Sequence, residues 1–204
     1  MTTKPHWENV YETKSAHEVS WYRPRLEVSL QLIDSVLTDP GSAIIDIGGG
    51  ESTLVDDLIR SGRSDVTVLD ISQAALDATK ARLGTSADSV SWIAADITTV
   101  DLGFGRYDLW HDRAVFHFLT RPEDRDAYIQ RVRQAVKPQG YIVVATFGPD
   151  GPLKCSGLDI VRYDSNSLVV AFGDGFDLLD TTTEIHKTPW DSEQEFVYCL
   201  MRKS

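Results

Sequence analysis

Residues Ile44 to Ser52 read Ile-Ile-Asp-Ile-Gly-Gly-Gly-Glu-Ser, and no other stretch restricts the fold so tightly. A short apolar run ends in an acid, passes through three glycines and reaches a serine that opens an apolar-periodic segment. That is the pattern of a buried strand, a turn stripped of side chains, and a helix N-terminus. Glycine permits the backbone angles of a tight turn and lets a ligand approach the main chain closely. The helix start adds unpaired N–H groups and the positive end of a dipole. A turn of this kind suits a nucleotide-like ligand, and the residues at the ends of the later strands decide which one.

The bounds on the rest are few. A chain of 204 residues fits one domain, here taken as residues 1–204, and composition is ordinary for a globular protein, with 42% apolar residues. A formal charge of −11 argues against nucleic acid or an anionic membrane as a partner, since both require clustered Lys and Arg. No apolar run approaches the roughly 20 residues needed to span a bilayer. The start, Met1 to Trp7, lacks the apolar centre of a signal peptide. Two cysteines, Cys155 and Cys199, make no disulfide framework and suit a reducing, cytoplasmic setting.

Apolar runs recur along the chain with helical patterns between them, and no repeat or linker interrupts them. Strands are expected at Ala43–Ile47, Val66–Asp70, Val90–Asp96, Tyr107–Asp112 and Tyr141–Phe147. Leu26, Leu30, Ile33 and Leu37 fall at helical spacing, with Pro40-Gly41 to stop them. Ser72 reads as the N-cap of a helix with Ala75, Leu76, Thr79 and Leu83 on its inner face and Gly84 past its end. Alternation of strand and helix implies a doubly wound parallel α/β sheet with right-handed crossovers. The C-terminal part departs from that rhythm. After a helix from Asp164-Ser165 to Phe172, the segments Phe176–Thr188 and Glu195–Arg202 leave no room for a crossover helix, so they are expected to pair antiparallel. Both faces of the last strand are apolar, which makes it central.

Ligands of an open α/β sheet bind beyond the carboxyl ends of its strands. Acids stand there in order: Asp46, Asp70, Asp96, and then His111-Asp112-Arg113. An acid at the second strand's end suits ribose hydroxyls, and one at the third suits an exocyclic amine. Helix capping at a strand exit is the alternative for both. A dinucleotide dehydrogenase shares the turn, but its third glycine would fall at position 53, which is Thr53. No G-K-S/T comes after the glycines, which excludes a P-loop.

With Asp46-Ile47-Gly48-Gly49-Gly50, Asp70-Ile71, Asp96-Ile97, His111-Asp112-Arg113 and Gly140-Tyr141 in this order and spacing, the chain resembles the class I S-adenosylmethionine-dependent methyltransferases over nearly its whole length. The resemblance implies their Rossmann-like, seven-stranded, mostly parallel sheet with an antiparallel last strand. Within that family, the segment His6-Trp7-Glu8-Asn9-Val10-Tyr11 with Ser20-Trp21-Tyr22 resembles a small cytosolic subgroup acting on small molecules and on protein side chains. By the same resemblance S-adenosylmethionine is the cofactor. Gly48, Gly49 and Gly50 would pass under its methionine part and Asp46 would orient that loop and the ammonium group. Asp70 would take the ribose, Ile71 pack on adenine, Asp96 read adenine N6, and the Ile97 amide meet the ring. Glu51 departs from the small residue that many relatives carry.

Trp7, Tyr11, Trp21 and Tyr22 form an aromatic cluster ahead of the first clear helix. Aromatic faces attract cations, and the cofactor carries a sulfonium, so Tyr11 and Trp21 are expected at the cofactor. Residues 1–24 are read as a lid, because the mix of aromatics with Glu8, Glu12, Lys14, His17 and Glu18 is too polar for a core strand or an independent helix. His111 and Arg113 are the expected catalytic residues on the acceptor side, with His117 as a further histidine; His111 also reaches the cofactor. A base is needed only where the acceptor arrives protonated. Cys155 lies after the fifth strand beside Lys154, either as an activated thiol or as an inert loop residue. No metal is expected, since ligand spacing is missing. The expected activity is methyl transfer to a small molecule or a protein side chain by a monomer or weak dimer; the alternative is a non-catalytic binding protein on the same fold.

Overall fold

Strands buried on both faces and helices with one apolar side leave few ways to assemble, and the computed structural model, which describes residues 4–204, takes the doubly wound one. In chain order the elements are α1 (Lys4–Thr13), α2 (Glu27–Val36), β1 (Ile44–Ile47), α3 (Leu54–Arg60), β2 (Val66–Asp70), α4 (Gln73–Leu83), β3 (Val90–Ala94) and β4 (Tyr107–Arg113). Next come α5 (Pro122–Ala135), β5 (Val136–Phe147), the two-residue strands β6 (Lys154–Cys155) and β7 (Leu158–Asp159), α6 (Ser165–Phe172), β8 (Phe176–Lys187) and β9 (Glu193–Lys203).

Seven strands form one sheet in the order β3-β2-β1-β4-β5-β9-β8. β1 through β5 pair parallel, while β9 runs antiparallel to both β5 and β8. The last strand is therefore internal, as its two apolar faces require. Strand alternation divides the sheet into two cores. Ile45, Ile47, Trp110 and Val144 pack with Tyr128, Phe116 and Phe172 on one side; Ile44, Leu109, Val143 and Phe147 pack with Leu30, Ile33, Leu54 and Leu58 on the other. The same alternation sends His111 and Arg113 towards the second core and Asp112 towards the first.

Local signals act as the residue types dictate. The Ser72 hydroxyl accepts the Ala75 amide at 3.2 Å, and Gly84 ends α4 at φ 58°. Asp164 caps α6 in a capping box with Ser167. Leu37 still donates to the Ile33 carbonyl, although α2 closes at Val36, ahead of Pro40. β5 begins earlier than Tyr141: α5 passes into it without a loop, and a register shift opposite Tyr107 and Leu109 absorbs the extra residues. Gly140 sits in that irregular start, where a Cβ would lie 2.9 Å from the Lys137 carbonyl oxygen.

The N-terminal segment holds a helix that the sequence pattern does not mark. Lys4–Thr13 is helical, with Trp7, Val10 and Tyr11 on one face at i, i+3 and i+4. The helix is not independent, because it docks on α4. Glu8 receives the Ser72 hydroxyl at 2.7 Å and the amides of Gln73 and Ala74 at 3.0 and 3.1 Å. A carboxylate on unpaired helix amides is a favourable contact that no sequence period records.

Candidate functional site

The cavity of about 350 Å³ lies at the carboxyl ends of β1 to β4. Its floor is built by the glycine turn. Gly48 has φ 67°, and a Cβ there would lie 2.1 Å from a Val115 methyl; Gly50, at φ 21°, would press on Asp70 Oδ2 at 2.7 Å. No L side chain fits either position without displacing its neighbours. The Thr79 hydroxyl donates to the Gly50 carbonyl at 2.6 Å, so α4 holds the turn from behind.

Ile47, Gly48, Asp70, Ile71, Asp96 and Ile97 line the half of the cavity nearest the first three strands. Asp70 is buried, with its Oδ1 accepting the Ser72 amide at 2.8 Å, and burial pushes its carboxyl up to about 7. Asp96 closes its own loop by accepting the amide and hydroxyl of Thr98 at 2.9 and 2.8 Å. The half of the cavity beyond them is formed by Trp7 and Trp21 with Phe118, Cys155 and Leu158. Trp7 meets Trp21 and Phe118 edge-to-face, with centroids 5.6 and 5.2 Å apart.

A recess of about 50 Å³ adjoins the cavity and shares Tyr11, Trp21, Ile47, Gly48 and Arg113 with it. Asp46, Glu51, His111 and Arg23, the last paired with Glu184, also line it. Here three buried polar atoms have no hydrogen-bond partner among the described residues: Asp46 Oδ2, Glu51 Oε2 and Arg113 Nη2, the last in a longer ion-pair contact with Glu184 Oε2 at 3.7 Å. Burial pushes the Glu51 carboxyl up, against the pull of Arg82 and His17. Two acceptors and one donor of opposite charge thus converge on one small space.

The two expected catalytic residues differ in setting: Arg113 lines the cavity and the recess, His111 the recess alone. His111 is 1% exposed, with Nδ1 2.7 Å from Asp46 Oδ1 and Nε2 2.9 Å from the Ser29 hydroxyl. Both ring nitrogens are engaged and the ring does not line the main cavity. Arg113 does reach the cavity, held by a network that joins three strands and the loop ahead of α2. Its Nε donates to the Tyr198 hydroxyl at 2.9 Å and its Nη1 to the Trp21 carbonyl at 3.2 Å, while the guanidinium stacks on Phe196 at 4.1 Å. Tyr198 donates to Glu184, which also pairs with Arg23 at 2.8 Å. His186 lies 2.7 Å from the Ser20 carbonyl. Residues from Ser20 onward are therefore tied to β8 and β9, which narrows the movable part of any lid to the stretch before them.

Neither His117 nor Cys155 is activated. His117 is fully buried, its Nδ1 accepts the Phe147 amide at 3.2 Å, and burial lowers it to about 3. Burial pushes the Cys155 thiol up to about 12, which keeps it protonated despite nearby Arg113. Asp112 organises the exit of β4 instead of facing a ligand: it accepts the Val115 and Phe116 amides and the Tyr128 hydroxyl at 2.6 Å. Among the described residues, no cluster of three or more His, Cys, Asp or Glu is placed to hold a metal, and no helix is long and apolar enough to cross a membrane. Sequence reasoning missed Glu8, Ser29 and Glu184. Only Glu8 carried a signal, as the acid inside the aromatic segment.

Residues 44–140 match the family model described as a methyltransferase domain. The EEF1A lysine methyltransferase 2 of Danio rerio is 22% identical over 160 residues, 72% of this chain and 69% of that protein. The malonyl-[acyl-carrier protein] O-methyltransferase of Halalkalibacterium halodurans is 28% identical over 128 residues; the match takes in 59% of this chain but only 46% of that protein. The Burkholderia thailandensis 1,6-didemethyltoxoflavin-N1-methyltransferase, crystallised with S-adenosylhomocysteine, superposes with a TM-score of 0.73 at 17% identity, covering 98% of this chain and 87% of the other. Residues 44–140 thus match a methyltransferase domain, and the fold around them is one shared with S-adenosylmethionine-dependent methyltransferases. The relatives differ in what they methylate, so they do not fix the acceptor.

Proposed function

We propose that the recess and the cavity together hold S-adenosylmethionine, with its amino-acid end in the recess and its nucleoside along the ends of β2 and β3. The observation that carries this reading is the set of unsatisfied atoms. An α-amino acid presents one cation and one anion a few bonds apart, and Asp46 Oδ2, Glu51 Oε2 and Arg113 Nη2 offer the complementary charges. Buried donors and acceptors without partners cost on the order of 1–3 kcal/mol each, so a zwitterion that satisfies all three gains what the free protein forgoes. Glu51, the departure from the family pattern, then becomes a second acceptor for the ammonium group. Arg113 becomes the carboxylate partner, with a planar fork that suits that shape.

In this reading Asp70 accepts from the ribose hydroxyls, Ile71 and Ile97 flank the adenine, and Asp96 accepts from its amine. Gly48, Gly49 and Gly50 give the main chain close access to the ligand, and Tyr11 and Trp21 present aromatic walls to the sulfonium. His111 acts at one remove by holding Asp46. The bound cofactor supplies an activated methyl group; the residues orient it, exclude water and leave the acceptor's lone pair to attack in line. The net charge of −11 and the two buried free cysteines support a cytoplasmic enzyme, a monomer or weak dimer, acting on something other than nucleic acid. Calorimetry tests the reading: S-adenosylmethionine and S-adenosylhomocysteine should bind and NAD should not, and Glu51→Gln and Arg113→Ala should each weaken the sulfur nucleosides. Binding of NAD, or nucleoside affinity indifferent to both substitutions, would refute it.

A further inference from the structure

The acceptor half of the cavity is defined by what remains once the first three strand exits and the recess are assigned to the cofactor. It is a slot between Trp7, Trp21, Phe118, Cys155 and Leu158. Three of these five side chains are aromatic, one is aliphatic, and the fifth is a buried thiol held in its neutral form. The charged groups at its rim are paired: Asp159 with Lys154 at 3.0 Å, and Arg121 with Asp124 at 2.6 Å. Among the described residues no histidine lines the cavity; His111 has both ring nitrogens committed to Asp46 and Ser29, while buried His117 accepts the Phe147 amide at Nδ1, which leaves the proton on its unpartnered Nε2 and no lone pair to act as a base. With Arg113, the cation near Cys155, taken up by the cofactor carboxylate as placed above, the slot offers no free base and no unpaired charge.

It is also roofed. α1 is fixed on the cofactor side by Glu8 on the α4 N-terminus and on the other side by His6, whose Nε2 lies 3.3 Å from the Ser156 hydroxyl between β6 and β7. Trp7 lies between these two anchors and closes the slot from above. An ammonium or a carboxyl group entering such a place would lose its water without finding a counter-charge, a cost that burial of an unpaired charge makes prohibitive. A protonated amine would in addition find nothing to take its proton.

We propose that the acceptor is a small, flat, uncharged molecule that brings its own unprotonated lone pair, of the class of heteroaromatic nitrogens. This rests on the cofactor placement above. The ring nitrogen's lone pair forms the new N–C bond while the cofactor's S–C bond breaks and that electron pair stays on sulfur. The positive charge passes from sulfonium to the methylated ring, no proton is transferred, and the aromatic walls face a cation before and after the step.

The test uses the whole chain with S-adenosylmethionine and five probes: quinoline, 4-phenylpyridine and benzimidazole as uncharged ring nitrogens, with benzoate and a lysine peptide for contrast. Mass spectrometry should show methylation of one or more of the ring nitrogens and of neither contrast probe. Leu158→Trp fills the slot, so it should lower that transfer by at least about tenfold, the effect of a side chain misfitting an apolar pocket, while S-adenosylhomocysteine affinity and melting temperature stay as in the parent. Transfer to benzoate or the peptide in preference to the rings would overturn the proposal. So would bound S-adenosylhomocysteine with no transfer to any ring, or transfer that Leu158→Trp leaves intact. Failure to bind S-adenosylhomocysteine at all would refute the cofactor placement instead.

Discussion

Asp46 and His111 stand opposite one another on the paired strands β1 and β4, with Oδ1 and Nδ1 2.7 Å apart and both side chains almost wholly buried. Ser29 of α2 closes the other side of the ring at 2.9 Å. The arrangement resembles an acid–histidine–hydroxyl relay, but the hydroxyl is at the inner end, away from any cavity. Its effect is to fix the Asp46 carboxyl so that Oδ2 is turned to the recess. His111→Ala should therefore destabilise the protein by about 1–3 kcal/mol or more, because it strands a buried carboxylate and a buried hydroxyl together. Urea unfolding measures this, and a loss below about 0.5 kcal/mol, the scale of an ordinary surface substitution, would show that the network carries no such weight.

Asp70→Ala should weaken S-adenosylhomocysteine binding by about 1.5–3 kcal/mol, the scale of hydrogen bonds to charged groups. Asp70 also accepts the Ser72 amide, so some loss of stability is expected alongside. Titration calorimetry and a melting curve separate the two effects. Unchanged affinity with a lower melting temperature would make Asp70 a cap of the β2–α4 turn and nothing more.

Proton linkage gives an independent view of the same residue. Burial raises the Asp70 carboxyl from 3.8 to about 7, and that of Asp112 from 3.8 to about 6. A raised carboxyl means that the folded state holds protons that the unfolded state has released. Stability of the free protein should then fall as pH rises from about 4 towards 7. Ribose hydroxyls donating to Asp70 would favour its charged form, so binding should expel a proton in that window. Calorimetry at pH 6 in buffers of different ionisation enthalpy reads the release directly; equal heats in all buffers would count against a ribose role.

The fold was legible because its signals are local and redundant. Ile44-Ile45, Val66 to Leu69 and Ile142 to Val144 are apolar on both faces, and Ser72, Gly84 and Asp164 mark helix ends by their own hydrogen bonding. The line of strand-end acids was legible for the same reason. Facing direction was not. His111 and Asp112 are neighbours in sequence, yet alternation sends one to the glycine turn and the other to Tyr128, and no pattern in β4 says which reaches the cavity. α1 was missed because its stability is tertiary: what holds it is Glu8 on α4, more than 60 residues away in the chain. The Arg113–Tyr198–Glu184–Arg23 network joins three strands and the loop ahead of α2, a juxtaposition that sequence spacing does not encode.

Both thiols should be inert. Burial pushes Cys155 to about 12 and Cys199 to about 11, and only the thiolate attacks an alkylating agent. At pH 8 iodoacetamide should modify neither until the chain is unfolded, as monitored by intact mass. Rapid labelling of Cys155 in the folded protein would indicate an activated thiol at the acceptor slot, contrary to its burial.

The roof over the slot hangs on one carboxylate. Glu8 joins α1 to α4 by three hydrogen bonds, and through Ser72 the same junction reaches Asp70. Burial acts to raise the Glu8 carboxyl, but the Ser72 hydroxyl and the Ala74 and Gln73 amides outweigh it and hold the group below its usual value. A lowered carboxyl contributes stability that is present above the unfolded value and lost as pH falls through the folded one, so α1 should loosen only in acid. Glu8→Ala removes the contact at neutral pH, at a cost of about 1 kcal/mol, the scale of a lost helix cap. Hydrogen exchange should then rise between Trp7 and Tyr11 while residues from Ser20 onward, tied by His186 and Arg113, keep their protection. Cofactor affinity should fall with it, and Glu8→Asp should restore part of both. If exchange rose evenly through residues 7–22, or if affinity held while α1 frayed, the helix would be packing against the sheet and not a closure over the site.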